Sequence, residues 1–136
     1  MKKFLMIIFL LVNLKSYSHD PVFIITFKKG TDIVDDSTKK KIIALGKSYN
    51  FFSNDSLSND HYYQIDLWNF TCSDELDKDP MIGFKRAKKV IDILEKECGI
   101  NRKNIRYIDE IARDKTRNAK FQHCEAMKRG IQADIR

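Results

Sequence analysis

The chain has 136 residues, with 25 Lys and Arg against 19 Asp and Glu, a formal net charge of +6, and three cysteines. That length is enough for one ordinary domain with its own core. The charge is too mild, and too evenly mixed with acids, to argue for a nucleic-acid partner.

The first eighteen residues read as a secretory signal peptide rather than as part of a fold. Lys2 and Lys3 open it, Phe4 to Val12 is an unbroken apolar run, and Ser16-Tyr17-Ser18 is a small-x-small cleavage site. The run is too short to span a bilayer as a helix, and no cysteine follows it to carry a lipid. Cleavage removes three of the 25 basic residues and none of the 19 acids, for a mature balance of +3. No later segment is apolar enough to cross a membrane, so residues 19–136 are expected to form a single exported, soluble domain.

Pro21 to Phe27 (PVFIITF) is a β-branched and aromatic run stopped by Lys28-Lys29-Gly30, which predicts a strand and its turn. Asp35, Asp36 and Ser37 offer caps for a helix with Ile42, Leu45 and Tyr49 on its apolar side. Lys39, Lys40 and Lys41 are read as its solvated face. Ser53 to Asp60 is polar and predicts a loop. Tyr62 to Phe70 alternates, with Tyr63, Ile65 and Leu67 on one face and Gln64, Asp66 and Trp68 on the other: a half-buried strand.

Thr71 to Asp79 reads as a polar loop. The helix after it has Pro80 in its first turn, a stripe of Ala87, Val90, Ile91, Leu94 and Cys98, and a stop at Gly99-Ile100. Ile105 to Ile111 is a third strand, a basic loop follows, and Gly130 to Ile135 alternates as the last strand.

The order strand, helix, strand, helix, strand, strand predicts an α+β fold (βαβαββ), a two-layer sandwich with the helices on one side of a mixed four-stranded sheet. Right-handed crossovers make the first three strands parallel and the last antiparallel. This topology gathers Thr71, Asp74, Glu75, Arg86 and Arg129 at the carboxyl ends of the second and third strands, where ligands tend to bind. It also puts Cys72 and Cys124 at one end of the sheet and Cys98 at the other, so a Cys72–Cys124 disulfide is a candidate in an oxidising compartment and Cys98 reads as a core thiol. No metal-ligand spacing occurs and no cofactor is expected. His61 and His123 have no nucleophile at a motif spacing, so an enzyme is not expected.

Several fragments, in order, resemble the OmpA-like peptidoglycan-binding domain across about Val22 to Ile135. They are Asn69–Thr71 (NFT), Lys85–Val90 (KRAKKV), Gly99–Ile100 and Lys128–Gln132 (KRGIQ). The resemblance implies a non-catalytic domain in the periplasm or cell envelope of a Gram-negative-type bacterium. It further implies that Arg86 holds a carboxylate of wall-peptide diaminopimelate while an acid holds its ammonium; such a head group needs both charges, and arginine supplies a bidentate contact.

Thr71 and Arg86 match the family pattern. Cys72 stands where the family has the binding aspartate, Lys128-Arg129-Gly130 keeps an arginine but loses an asparagine, and Asp74 or Glu75 is left to supply the acid. Two readings follow: peptidoglycan binding through Arg86 and a loop carboxylate, or a degenerate OmpA-like fold without wall binding, acting as an envelope protein-interaction or structural module. Without the resemblance, Arg86 is a partly exposed helix arginine paired with a loop acid.

Overall fold

The computed structural model describes residues 22–54, 62–108 and 130–136. The expected signal peptide, His61, His123, Cys124 and Arg129 lie outside the described residues. The elements are β1 (Val22–Thr26), α1 (Asp36–Ser53), β2 (Ile65–Phe70), α2 (Ser73–Lys78), α3 (Ile82–Cys98), a 3-10 turn (Arg102–Asn104), β3 (Ile105–Ile108) and β4 (Gly130–Ile135).

The sheet order is β1-β4-β2-β3. β4 runs antiparallel to both β1 and β2, and β2 pairs parallel with β3. β1, β2 and β3 therefore share a direction that β4 opposes, as the crossover rule requires. The register pairs Ile65 and Leu67 of β2 with Ile135 and Ala133 of β4 and with Ile105 and Tyr107 of β3. One face of the sheet is thus continuously apolar.

Helices α1 and α3 pack on that face. Ile42, Leu45 and Tyr49 of α1 and Ala87, Val90, Ile91 and Leu94 of α3 join Ile25, Phe27, Ile65, Leu67, Ile105, Ile131, Ala133 and Ile135 in one core. Each fully buried aliphatic side chain contributes about 1.5–3 kcal/mol. Asp35 caps α1 by accepting the Thr38 N–H at 2.8 Å. The α3 stop forms as the sequence indicates. Gly99 is left-handed at φ 67°, and the N–H groups of Gly99 and Ile100 both return to the Leu94 carbonyl.

Four expectations change. The Thr71–Asp79 stretch contains the one-and-a-half-turn helix α2, stabilised by acids in its first turn and by contacts with distant residues described below. α3 begins at Ile82, beyond Pro80, because the chain first turns through Asp79, whose carboxylate accepts the Met81 N–H at 3.0 Å. β2 starts at Ile65 rather than Tyr62, although Gln64 still exchanges backbone hydrogen bonds with Arg136. Cys98 is half-buried rather than sealed in the core; it packs against Gly46 of α1, where an added Cβ would lie 2.3 Å from its sulfur.

Candidate functional site

Arg86 sits four residues after Ile82 and four before Val90, on the buried stripe of α3 rather than on its flank. Its side chain has no exposed surface. A guanidinium cannot lie there unless its donors are engaged. Nε donates to the Thr31 carbonyl at 2.8 Å and Nη2 to the Lys28 carbonyl at 3.2 Å. Nη2 and Nη1 grip the two oxygens of Glu75 at 2.7 and 3.3 Å, and the plane lies 5.4 Å from the Phe27 ring centroid.

Glu75, the third residue of α2, is as buried as its partner, with 1% of its side chain exposed. Besides Arg86 it accepts the Gly30 N–H at 2.6 Å and the Cys72 N–H at 3.3 Å. Burial by itself would raise its pKa; the hydrogen bonds from Arg86 and Gly30, the Arg86 charge and the Cys72 N–H outweigh it and hold the carboxyl below its ordinary value of 4.5. The pair is ionised and closed on itself.

The other expected site residues divide. Asp74 pairs at the surface with Lys29. Thr71 is buried but turns its hydroxyl to Asn69 Oδ1 at 2.8 Å. Asn69 in turn fills the space above Gly83, where a Cβ would displace its amide group. Cys72 is buried at the start of α2; Arg129 and Cys124 are outside the described residues. Among the described residues Cys98 is the free thiol, and its partial burial pushes its pKa up.

The structure therefore brings Arg86 and Glu75 together and leaves Asp74 and Thr71 on other partners. It adds a participant that the sequence reading missed, the Lys28–Thr31 turn after β1, which supplies two carbonyls to Arg86 and an N–H to Glu75. Backbone groups carry no residue-type signal. The spacing Ile82-Arg86-Val90, however, already marks Arg86 as inward-facing.

A second buried acid lies on the opposite face of the sheet. Asp66 has no exposed surface; it accepts Arg106 Nε and Nη2 at 3.0 and 2.7 Å and the Gln64 amide at 2.6 Å. Arg136 approaches to 3.9 Å and lies over Trp68. Burial opposes ionisation, but Arg106 and Gln64 hold the carboxyl below its ordinary value. Among the described residues there is no cluster of three or more metal-ligating side chains, and no helix long and apolar enough to cross a membrane.

No family model and no curated protein sequence matches the chain. Solved structures do. The C-terminal domain of Helicobacter pylori MotB superposes with a TM-score of 0.58 at 16% identity, over 82% of this chain and 82% of that one. A crystal structure of the MotB periplasmic domain gives 0.54 at 13% identity, over 89% and 82%. A longer periplasmic fragment gives 0.53 at 16% identity, over 82% of this chain and 69% of that one. At these identities the likeness concerns the fold, and it matches helices on a mixed four-stranded sheet. The chain has the OmpA-like fold of the MotB C-terminal domain.

Proposed function

We propose that this chain is an exported, non-catalytic module of the cell envelope in which the arginine of the OmpA-like site serves as an internal lock. The observation that carries this reading is the bidentate Arg86–Glu75 pair with neither side chain exposed. A diaminopimelate head group must fit both its charges between an acid and a guanidinium. At 2.7 Å there is no such gap, and the Glu75 carboxylate already occupies the bidentate position that a ligand carboxylate needs. The module then acts through its surfaces, as a protein-interaction or structural element.

A second reading, peptidoglycan binding, is favoured by one observation: Glu75 supplies an acid next to Arg86 where the resemblance requires one, although Cys72 replaces the family aspartate. It requires Glu75 to leave Arg86, which uncovers a buried charge at a cost of several kcal/mol unless the ligand replaces every contact. A Cys72–Cys124 disulfide belongs to either reading; it would fix the start of α2, which carries Glu75, and stabilise the fold by about 2–4 kcal/mol.

Sedimentation with purified diaminopimelate-type sacculi tests the choice. The lock reading expects the exported wild-type protein to stay in the supernatant. Pelleting of wild type, abolished in a folded Arg86→Lys variant that retains charge but not the fork, would establish the wall-binding reading instead.

A further inference from the structure

The outer face of α1 is used neither by the core nor by the Arg86 site. Among the helix's 18 residues, Lys39, Lys40, Lys41 and Lys47 are opposed by one acid, Asp36. Two of these lysines are drawn sideways: Lys39 Nζ pairs with Glu97 of α3 at 2.8 Å, and Lys41 Nζ donates to the Thr26 hydroxyl of β1 at 3.4 Å. Lys40 lies between them, opposite the buried Thr38, Ile42, Leu45 and Tyr49, and Lys47 follows two turns on along the same face. Neither forms an ion pair among the described residues.

Apolar surface runs between these two lysines and past them. Ile43 is half-exposed, Ala44 is exposed, and Phe51, one turn beyond Lys47, has 72% of its surface in water. Lys40, Ile43, Ala44, Lys47 and Phe51 follow one another at helical neighbour spacings, so they form one stripe. Asp35 and Asp36 are confined to the cap and first residue of the helix. A lysine-flanked apolar stripe is the pattern of a helix that lies on a charged bilayer surface.

We propose that this face of α1 docks on anionic phospholipid, with Lys40 and Lys47 against headgroup phosphates and Phe51 set among the headgroups. Residue type selects the partner. Protein interfaces are enriched in arginine and depleted of lysine, whereas the cations on this face are lysines. A soluble polyanion would engage the lysines but leave Phe51 and Ile43 in water. An anionic bilayer takes both, since each lysine gains from the surface potential and aromatic side chains settle at the headgroup boundary. The sheet, in the layer behind α1, then faces away from the bilayer. The Arg86–Glu75 pair takes no part, so the proposal goes beyond the lock reading and holds or fails separately from it.

Co-sedimentation with lipid vesicles reads this, using the protein without the expected signal peptide. At about 0.05 M salt, wild type is expected to pellet with mixed phosphatidylglycerol and phosphatidylcholine vesicles, and to dissociate toward about 0.5 M. With phosphatidylcholine alone it should stay in solution. Lys40→Gln with Lys47→Gln should weaken binding about 25-fold, at about fivefold per lysine, and Phe51→Ser about tenfold. Lys88→Gln, at an exposed lysine on α3, should bind like wild type. These side chains are all exposed, so circular-dichroism spectra should be unchanged. No binding to anionic vesicles, equal binding to both kinds, or wild-type binding by the double lysine variant overturns the proposal. So does capture by polyglutamate without vesicle binding, which would mark an acidic protein partner. Should a variant not fold, nitroxide-labelled phosphatidylglycerol decides: broadening of wild-type amides centred on Ala44 and Phe51 supports the docking face, and broadening elsewhere or none refutes it.

Discussion

Among the described residues, two of the buried carboxylates that meet arginines, Glu75 and Asp66, are held differently, and only one of these two arrangements closes. At Glu75–Arg86 both side chains are sealed, and the guanidinium also satisfies two carbonyls of the turn after β1. At Asp66–Arg106 the acid is sealed, but 57% of the arginine side chain remains in water. The first pair ties β1, α2 and α3 together. The second is a lid of long side chains over an acid on the outer sheet face. A bidentate arginine contact therefore does not reveal its role; what matters is which donors stay open to solvent.

The largest expected consequence lies at the closed pair. Arg86→Ala leaves Glu75 and the Lys28 and Thr31 carbonyls without their donor, and should destabilise the fold by about 3–5 kcal/mol in urea unfolding. Replacing both members, Glu75→Leu with Arg86→Met, should recover only part of that, because the two carbonyls remain unserved. A full recovery would mean that the backbone contacts contribute little and that the ion pair alone was at fault.

Next is Asp66→Asn, which keeps the shape but gives up charge-assisted bonds, at about 1.5–3 kcal/mol. The arginines it releases are already solvated, so no buried charge is left behind. Arg106→Ala gives up the same two bonds but uncovers the Asp66 carboxylate to water, so its cost should stay below that of Asp66→Asn and well below that of Arg86→Ala. An Arg106 effect as large as that of Arg86 would erase the distinction between the two sites.

Acid tests both carboxylates together. Glu75 and Asp66 each have a folded pKa below the ordinary value, so the unfolded chain binds protons first. Their contribution is complete above the ordinary carboxyl values of 4.5 and 3.8 and is lost as pH falls through those values toward the lower folded ones. Urea midpoints should drop over that interval for wild type. The drop should shrink in Glu75→Gln and in Asp66→Asn, each of which removes one of these two buried groups.

Much of the fold was legible because it depends on local periodicity. The α3 stripe, the Gly99 stop and the alternation of β4 each occupy a few residues whose types encode their environment. α2 was not legible: six residues provide too little period, and its anchors at Lys29 and Gly30 lie more than forty positions away. Asp66 followed the same logic. Alternation placed it on the outer face, but Arg106, forty residues on, covers it there. At the site, the sequence offered Arg86 with either Asp74 or Glu75 as its acid, and did not choose between them. What seals the Arg86–Glu75 pair from solvent is burial, and burial depended on the Lys28–Thr31 turn.

The central claim is that Arg86 is held internally, and its Nε–H reports this directly. In nitrogen-15 NMR of the protein, the account predicts a resolved, slowly exchanging Arg86 Nε–H resonance, bonded to the Thr31 carbonyl and unmoved by diaminopimelate-containing wall peptide. Rapid exchange of that proton, or a saturable shift on adding the peptide, would contradict it.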